Sequence, residues 1–357
     1  MRIAVVDLVS LDGGGYQITQ SLFRYASSGQ EKLIEWLFIV SKQNFESNKF
    51  VKVVKYPKGS EGYFKRILTE IGEVNSCLKK FNADVIVSMQ NMRVIGCKLD
   101  QVIYLQQSIP FQKEKKFSFL KKEERGYAFR QYIQGMIIKN DLKRAKAILV
   151  QTEWVRKAVQ EISGTVPVVN IGYPVAEDRE KVQYKAQRVG KNFFYPCGPA
   201  IYKNITVIVK AVNLLIKKGY SFRFYITLTQ DEMEKLTDER PLNKQVFQYL
   251  GRIKPEKVEE MYLKTTLVFA SYIETLGLPL VEARSSGTWV IASDCSFSHE
   301  LLDDYPNKDY FKPFDEIDLM KKMEAILTEN RILKKYNSSK STALCWEKMI
   351  EELKSKG

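Results

Sequence analysis

One histidine, His299, and five cysteines are all that 357 residues contain of the two most versatile catalytic side-chain types. A single imidazole leaves almost no room for histidine-based triad chemistry, and any zinc site would fall to the cysteines. Cys77, Cys97, Cys197, Cys295 and Cys345 are odd in number, scattered, and include no CxxC pair. Neither a disulfide framework nor structural zinc is expected from them; reduced thiols in a cytosolic compartment are. No uninterrupted apolar run reaches the roughly 18 residues a spanning helix needs. Residues 2–8, RIAVVDL, read as a buried strand with charges at both ends, not as a secretory leader. Repeats and low-complexity tracts are absent. So are helix-turn-helix, RNP and zinc patterns, and nucleic acid is not an expected partner. The expected location is cytoplasmic, extending to the inner face of the cell membrane.

What is present is ordinary globular composition with an uneven charge. Hydrophobic residues make up 45% and charged residues 27%, enough for one or two substantial cores at this length. The net charge is +14, and residues 1–175 carry most of it: 27 basic against 16 acidic groups, where the remainder holds 29 against 26. Residues 113–146 alone carry eleven basic and four acidic groups, interleaved with Phe117, Phe119, Tyr127, Phe129 and Tyr132. That mixture suits an anionic membrane surface, a phosphorylated acceptor or nucleic acid. It equally suits a solvated helix face on a lysine-rich protein, and the pattern leaves both open.

Strand and helix signals alternate throughout, which predicts α/β architecture with parallel sheets. Strands are expected at 2–8, 34–40, 51–55, 84–89, 102–106, 147–151 and 166–171, with helices at 15–27, 62–80, 122–144 and 153–162. The polar stretch 174–190 reads as a linker between an N-terminal domain, 1–173, and a second domain, 191–336. Residues 337–357 read as a final helix. The second alternation places strands at 193–197, 222–228, 246–250, 267–270 and 289–293. Its first helix is marked by Ile205, Ile208, Val209, Val212, Leu215 and Ile216 on one face and stopped by Gly219. Two such units predict a ligand cleft between them.

The segment 269–294, FASYIETLGLPLVEARSSGTWVIASD, carries the most chemistry. A strand ends near Ala270, a loop follows with Glu274, and Gly277-Leu278-Pro279 opens a helix. Free N–H groups at a helix start favour an anion by about 0.3–2 kcal/mol. Glu282 lies inside that helix, where a carboxylate can accept both hydrogen bonds of a vicinal diol such as a ribose. Taken singly, either glutamate would be an ordinary surface residue. Their joint placement around a helix-opening glycine favours ligand contact. The run Asp12-Gly13-Gly14-Gly15 is weaker: there is no GxGxxG, and dinucleotide binding is not supported. His299, beside Ser298 and Glu300, reads as a neighbour of a helix cap.

The stretch E-T-L-G-L-P-L-V-E-A resembles the E-x7-E signature of retaining glycosyltransferases, glycosyltransferase family 4, whose members have the two-domain GT-B fold of Rossmann-like units. Tyr249-Leu250-Gly251-Arg252-Ile253 and Val290-Ile291-Ala292-Ser293-Asp294 extend the resemblance. In the first half, Tyr104-Leu105-Gln106-Gln107-Ser108-Ile109-Pro110-Phe111 and Gln151-Thr152-Glu153-Trp154 look like segments of bacterial polysaccharide-building members.

The resemblance implies roles for named positions. Glu274, with Thr275 beside it, would contact hydroxyls of the donor sugar. Gly277 and Leu278 would offer backbone amides, Glu282 would hold the ribose, and Arg252 and Ile253 would border the base. Lys203 would neutralise the diphosphate leaving group, allowing a reaction without metal or cofactor, and Gly14 and Gly15 would face donor phosphates and acceptor. Two positions depart from the family pattern: Gly198, on the donor-binding side, stands where an arginine is common, and Gln106, placed with Glu274 in the catalytic set, where a histidine is common. The implied activity is hexose transfer from a UDP- or GDP-sugar to a hydroxyl of a glycan or lipid-linked acceptor in surface polysaccharide biosynthesis. The alternative is a nucleotide-sugar-binding protein with lost or altered turnover.

Overall fold

Two sheets with every strand parallel organise the chain. The computed structural model describes residues 1–173, 189–336 and 345–354. Among these, 1–111, 126–173 and 345–354 form one unit, and 112–125 with 189–336 form the other. The expected linker, 174–190, lies outside the described residues apart from its last two. Of the expected final helix, only 345–354 is described.

The first sheet contains β1 (Arg2–Asp7), β2 (Glu35–Val40), β3 (Val51–Lys55), β4 (Val85–Ser88), β5 (Asp100–Tyr104), β6 (Ala147–Val150) and β7 (Val168–Asn170), in the order β3-β2-β1-β4-β5-β6-β7. Parallel strands covered on both faces need near-continuous apolar runs, which is why these segments were legible as strands. Ile3, Val5, Val87, Val102 and Tyr104 face one way, onto the helices Gly13–Ser27 and Trp346–Lys354. The terminal helix is pinned there by Trp346, whose indole N–H donates to Ser21 at 3.2 Å, and by Lys354 on Glu31 at 3.1 Å. On the opposite face, Ala4, Val6 and Ile86 meet Val74 and Leu78, while Ile103, Ile148 and Val150 meet Ile138 and Leu142.

Both helical stretches on that second face contain a π-turn. The predicted helix 62–80 is an α-helix Tyr63–Thr69, a π-turn Glu70–Val74 and an α-helix Asn75–Phe81. The predicted 122–144 is Arg125–Ala128, a π-turn Phe129–Gln134 and Gly135–Leu142.

The second sheet contains β8 (Phe193–Tyr195), β9 (Phe224–Ile226), β10 (Phe247–Tyr249), β11 (Thr266–Phe269), β12 (Val290–Ser293) and β13 (Lys308–Phe311), in the order β10-β9-β8-β11-β12-β13. The helix Ile205–Lys217 buries Ile205, Ile208, Val209, Val212 and Leu215, as its spacing predicted, leaves the expected Ile216 only half-buried, and packs beside the helix Glu316–Thr328. Each sheet reverses its strand order once, between β1 and β4 and between β8 and β11. Chains leave such neighbours in opposite directions, opening a crevice at the carboxyl ends of the strands. Those two points are where side chains can gather.

Candidate functional site

At the switch point of the second sheet, β8 and β11 deliver one residue each to a close ion pair. After β8 the chain makes a short 3-10 turn, Ile201–Lys203, and Asn204 takes a left-handed conformation (φ 59°) before the helix Ile205–Lys217. After β11 it makes a loop carrying Glu274. Lys203 Nζ donates to Glu274 Oε1 at 2.5 Å, with the two side chains only 14% and 16% exposed. The loops are also tied through backbone, Tyr272 N–H donating to Tyr202 O at 3.1 Å. Burial pulls the Lys203 ammonium down, but the Glu274 carboxylate outweighs it and holds the group above its ordinary value. The ammonium also lies 5.2 Å from the Tyr202 ring centre and 5.9 Å from that of Phe269, whose π faces favour a cation. Cys197, two residues beyond β8, is buried, and that burial pushes its thiol up to about 12, so it is an inert packing group.

Gly277 is the N-cap of the helix Leu278–Ser285 and has φ 85°. Space does not demand glycine there, since a Cβ would make ordinary contacts at 3.5 Å with Leu280 and Phe269; the left-handed backbone does. Gly277→Ala is therefore expected to cost about 1–2 kcal/mol, read as a lower midpoint in urea with an unchanged slope. An unchanged midpoint would mean that the turn relaxes without strain. Glu282, in the second turn of this helix, accepts from the Tyr262 hydroxyl at 2.9 Å. Tyr262 is almost fully buried on the helix Pro255–Lys264, which leads into β11.

The other expected donor residues are more dispersed. Arg252 is exposed and Ile253 half-buried on the loop after β10, two strands away from β8. Gly251 N–H in that loop donates to Leu228 O at 3.4 Å, holding it to the end of β9. Gly198 is exposed, and a Cβ there would meet nothing within 4 Å. Thr275 is half-buried beside Glu274.

In the first unit, Gly13–Gly15 open the helix after β1, and Gln106 lies two residues beyond β5. A Cβ at Gly15 would come within 3.0 Å of Ser10 Oγ and 3.3 Å of Gln106 Oε1, so Gly15 and Gln106 are neighbours. Gly14 is open. Two supports escaped the sequence reading. Asp7, fully buried at the end of β1, accepts from the N–H groups of Val9 and Ser10 at 3.2 and 3.0 Å and from Thr19 Oγ1 at 2.5 Å. Burial pushes its carboxyl up against those hydrogen bonds. Asn91, left-handed at φ 65°, accepts from Gln106 N–H at 2.6 Å. A charged residue ending an apolar strand was the one available signal for Asp7; Asn91 had none.

His299 sits apart from these groups, on the helix Ser296–Leu302. Nε2 lies 2.6 Å from Asp294 Oδ1 and Nδ1 2.8 Å from Asp303 Oδ1, while the Tyr310 ring packs at 4.3 Å. Burial lowers its pKa, but the two carboxylates outweigh that and raise it above the ordinary 6.5. The stabilisation this gives is fully present below pH 6.5 and is lost as the pH rises through the raised folded value. The lone histidine makes the check simple: its ring protons should titrate above 6.5 by proton NMR, and a midpoint at or below that would refute the clamp.

Among the described residues, no three or more His, Cys, Asp or Glu side chains are grouped to hold a metal ion, and no helix is long and apolar enough to cross a membrane. All five cysteines are free thiols.

Residues 179–343, somewhat less than half of the chain, match the family described as glycosyl transferases group 1. No curated protein matches the sequence. Among solved structures, the chain is similar to sucrose-phosphate synthase from Thermosynechococcus elongatus, at 16% identity over all of both chains and a TM-score of 0.68. It is also similar to WaaG, a glycosyltransferase involved in lipopolysaccharide biosynthesis: 17% identity, 92% of this chain, 90% of that one, TM-score 0.61. A third is Anabaena HepE in complex with UDP-glucose, 12% identical over 92% of this chain and 90% of that one, TM-score 0.62. The chain thus has the GT-B fold of two parallel-sheet α/β units, and most of its second unit matches the glycosyl transferases of group 1.

Proposed function

We propose that this protein is a retaining glycosyltransferase that moves a hexose from a nucleotide diphosphate sugar to a hydroxyl of a glycan or lipid-linked acceptor, in surface polysaccharide biosynthesis. The observation that carries the reading is the Lys203–Glu274 pair at the β8/β11 switch point, in the same loop system as the Gly277-opened helix. In this reaction the bond from the anomeric carbon to phosphate breaks, a bond to the acceptor oxygen forms, and the acceptor proton passes to the departing phosphate. Charge grows on the leaving diphosphate. A lysine held charged at that place, with free N–H groups at a helix start, stabilises it as it grows without needing a metal. Glu274 keeps Lys203 on Oε1 and offers Oε2 to the donor hydroxyls. Glu282, oriented by Tyr262, holds the ribose, while Arg252 and Ile253 border the base. The UDP-glucose bound by HepE favours a UDP-sugar among the candidate donors.

A second reading has its own observation. Gln106, beside Gly15, is neutral where the resembling family commonly has histidine, and it supplies hydrogen bonds but no titratable proton. A protein that binds nucleotide sugar without turnover fits that substitution. Thermal-shift screening with UDP, GDP and their sugars, followed by assays of donor hydrolysis and transfer, separates the two. Binding with turnover supports the transferase, binding without turnover supports the second reading, and no nucleotide binding removes both.

A further inference from the structure

We propose that the outward face of the two π-containing helical stretches in the first unit docks on the surface of an anionic phospholipid bilayer. Both stretches already spend one face on the core, through Val74 and Leu78 in the first and Ile138 and Leu142 in the second. Their other faces should be polar in a helix that meets only water. They are not. Phe64, Leu68 and Ile71, spaced i, i+4, i+7, are 72%, 56% and 52% exposed, and Phe129, Ile133 and Met136 repeat the same spacing at 51%, 41% and 64%. Contiguous apolar surface of this kind on both helices marks an interaction face.

Charge identifies the occupant. Arg130, Lys139, Lys143 and Arg144 belong to or directly follow the part of the second stretch that lies in the first unit, whose one acidic residue, Asp141, is turned inward to accept from Arg93 N–H at 3.0 Å. In the first stretch, Glu70 is buried against Arg66 at 3.3 Å, and the exposed Glu73 is outnumbered by the exposed Lys65, Lys79 and Lys80. An open cavity of about 390 Å³ on the second stretch is lined by Gln131, Tyr132, Met136, Lys139, Asn140 and Lys143, a methionine and a ring beside two ammonium groups and two amides. That is the chemistry of a lipid phosphate with its glycerol and upper chain. Apolar side chains that enter the acyl boundary and cations that meet the headgroups are the two parts of interfacial membrane binding.

Placement supports the same partner. The two stretches connect β3 to β4 and β5 to β6, all of them parallel strands of one sheet, so each runs antiparallel to the strands and begins at their carboxyl edge. Phe64, Leu68, Ile71, Phe129, Ile133 and Met136 fall in the first two-thirds of their stretches, toward the edge that carries Gly14, Gly15 and Gln106. An acceptor embedded in lipid would then be presented to those loops.

Vesicle sedimentation of the full chain tests this without donor or acceptor, so its failure and that of the transferase reading are separable. The chain should bind vesicles of phosphatidylcholine with about one third phosphatidylglycerol, not phosphatidylcholine alone, and should lose binding at high salt. Lys139→Glu with Lys143→Glu should weaken partitioning by about tenfold or more, and Phe64→Ser with Met136→Ser by a similar factor, while melting and nucleotide binding hold. Equal binding to both vesicle types, or variants that bind as well as the parent, would overturn the proposal. So would a dimer seen by light scattering that the Phe64→Ser/Met136→Ser variant dissolves, because the face would then belong to a second copy.

Discussion

Lys203→Met slows sugar transfer by about 10²–10³-fold at saturating donor, the loss typical of one removed charge stabiliser in a preorganised site. The side chain is fixed before substrate arrives: it donates to Glu274 at 2.5 Å and lies over two aromatic rings. A cation already in place costs no reorganisation when the diphosphate departs, which is what makes it catalytically valuable. Glu274→Ala gives a loss of the same order, because the donor-sugar contact and the orientation of Lys203 go together. Both single changes also strand a charge that is mostly withdrawn from water, costing on the order of 3 kcal/mol of stability. The double variant Lys203→Met/Glu274→Gln separates the effects. It strands no ion, so it should recover most of the lost stability while remaining as inactive as either single variant. Recovery of transfer in the double variant would show that the pair is structural. The pH dependence has a clear sign. Because the Lys203 pKa is raised, its contribution to stability is fully present below the ordinary 10.5 and fades only as the pH rises through the higher folded value.

How much of this was readable beforehand depends on whether the information was local. The strands of the first sheet and the helix Ile205–Lys217 follow from periodicity, since both are set by burial of their own residues. β13 was missed because KDYF has no apolar run; it takes its place by pairing with β12 at the sheet edge. The helix Glu316–Thr328 was missed too, although Asp315 caps it, accepting from Ile317 and Asp318 N–H at 3.0 and 2.9 Å. The π-turns had no signal, since they alter a helix without altering its composition.

The basic tract 113–146 divides in a way that residue type could not show. Residues 112–125 group with the second unit, and there the buried Glu124 holds Lys115 at 2.9 Å and accepts from Ser118 N–H at 2.8 Å. Within a lysine-rich run, a glutamate that organises a loop looks the same as one that faces water. In the site, likewise, Glu274, Lys203 and Glu282 stood out only together. Tyr262, which orients Glu282, carried no signal because its hydrogen bond spans twenty residues.

That hydrogen bond sharpens the expectation for the second glutamate. Glu282→Ala should weaken nucleotide binding by about 10–100-fold, the equivalent of one or two charge-assisted hydrogen bonds at roughly 1.5–3 kcal/mol. Transfer at saturating donor should change far less, because the ribose lies away from the bonds being exchanged and its contact is made equally in ground and transition states. The kinetic signature is a raised KM with a nearly constant kcat, the reverse of Lys203→Met. Tyr262→Phe provides the finer test. It leaves the carboxylate in place and removes only the hydroxyl that holds it at 2.9 Å, so nucleotide binding should weaken in the same direction but by only about threefold to tenfold. If Tyr262→Phe matched Glu282→Ala, the tyrosine itself would touch the nucleotide. If neither change altered binding, the ribose would have to be held elsewhere, and Glu282 would serve only to join its helix to Pro255–Lys264.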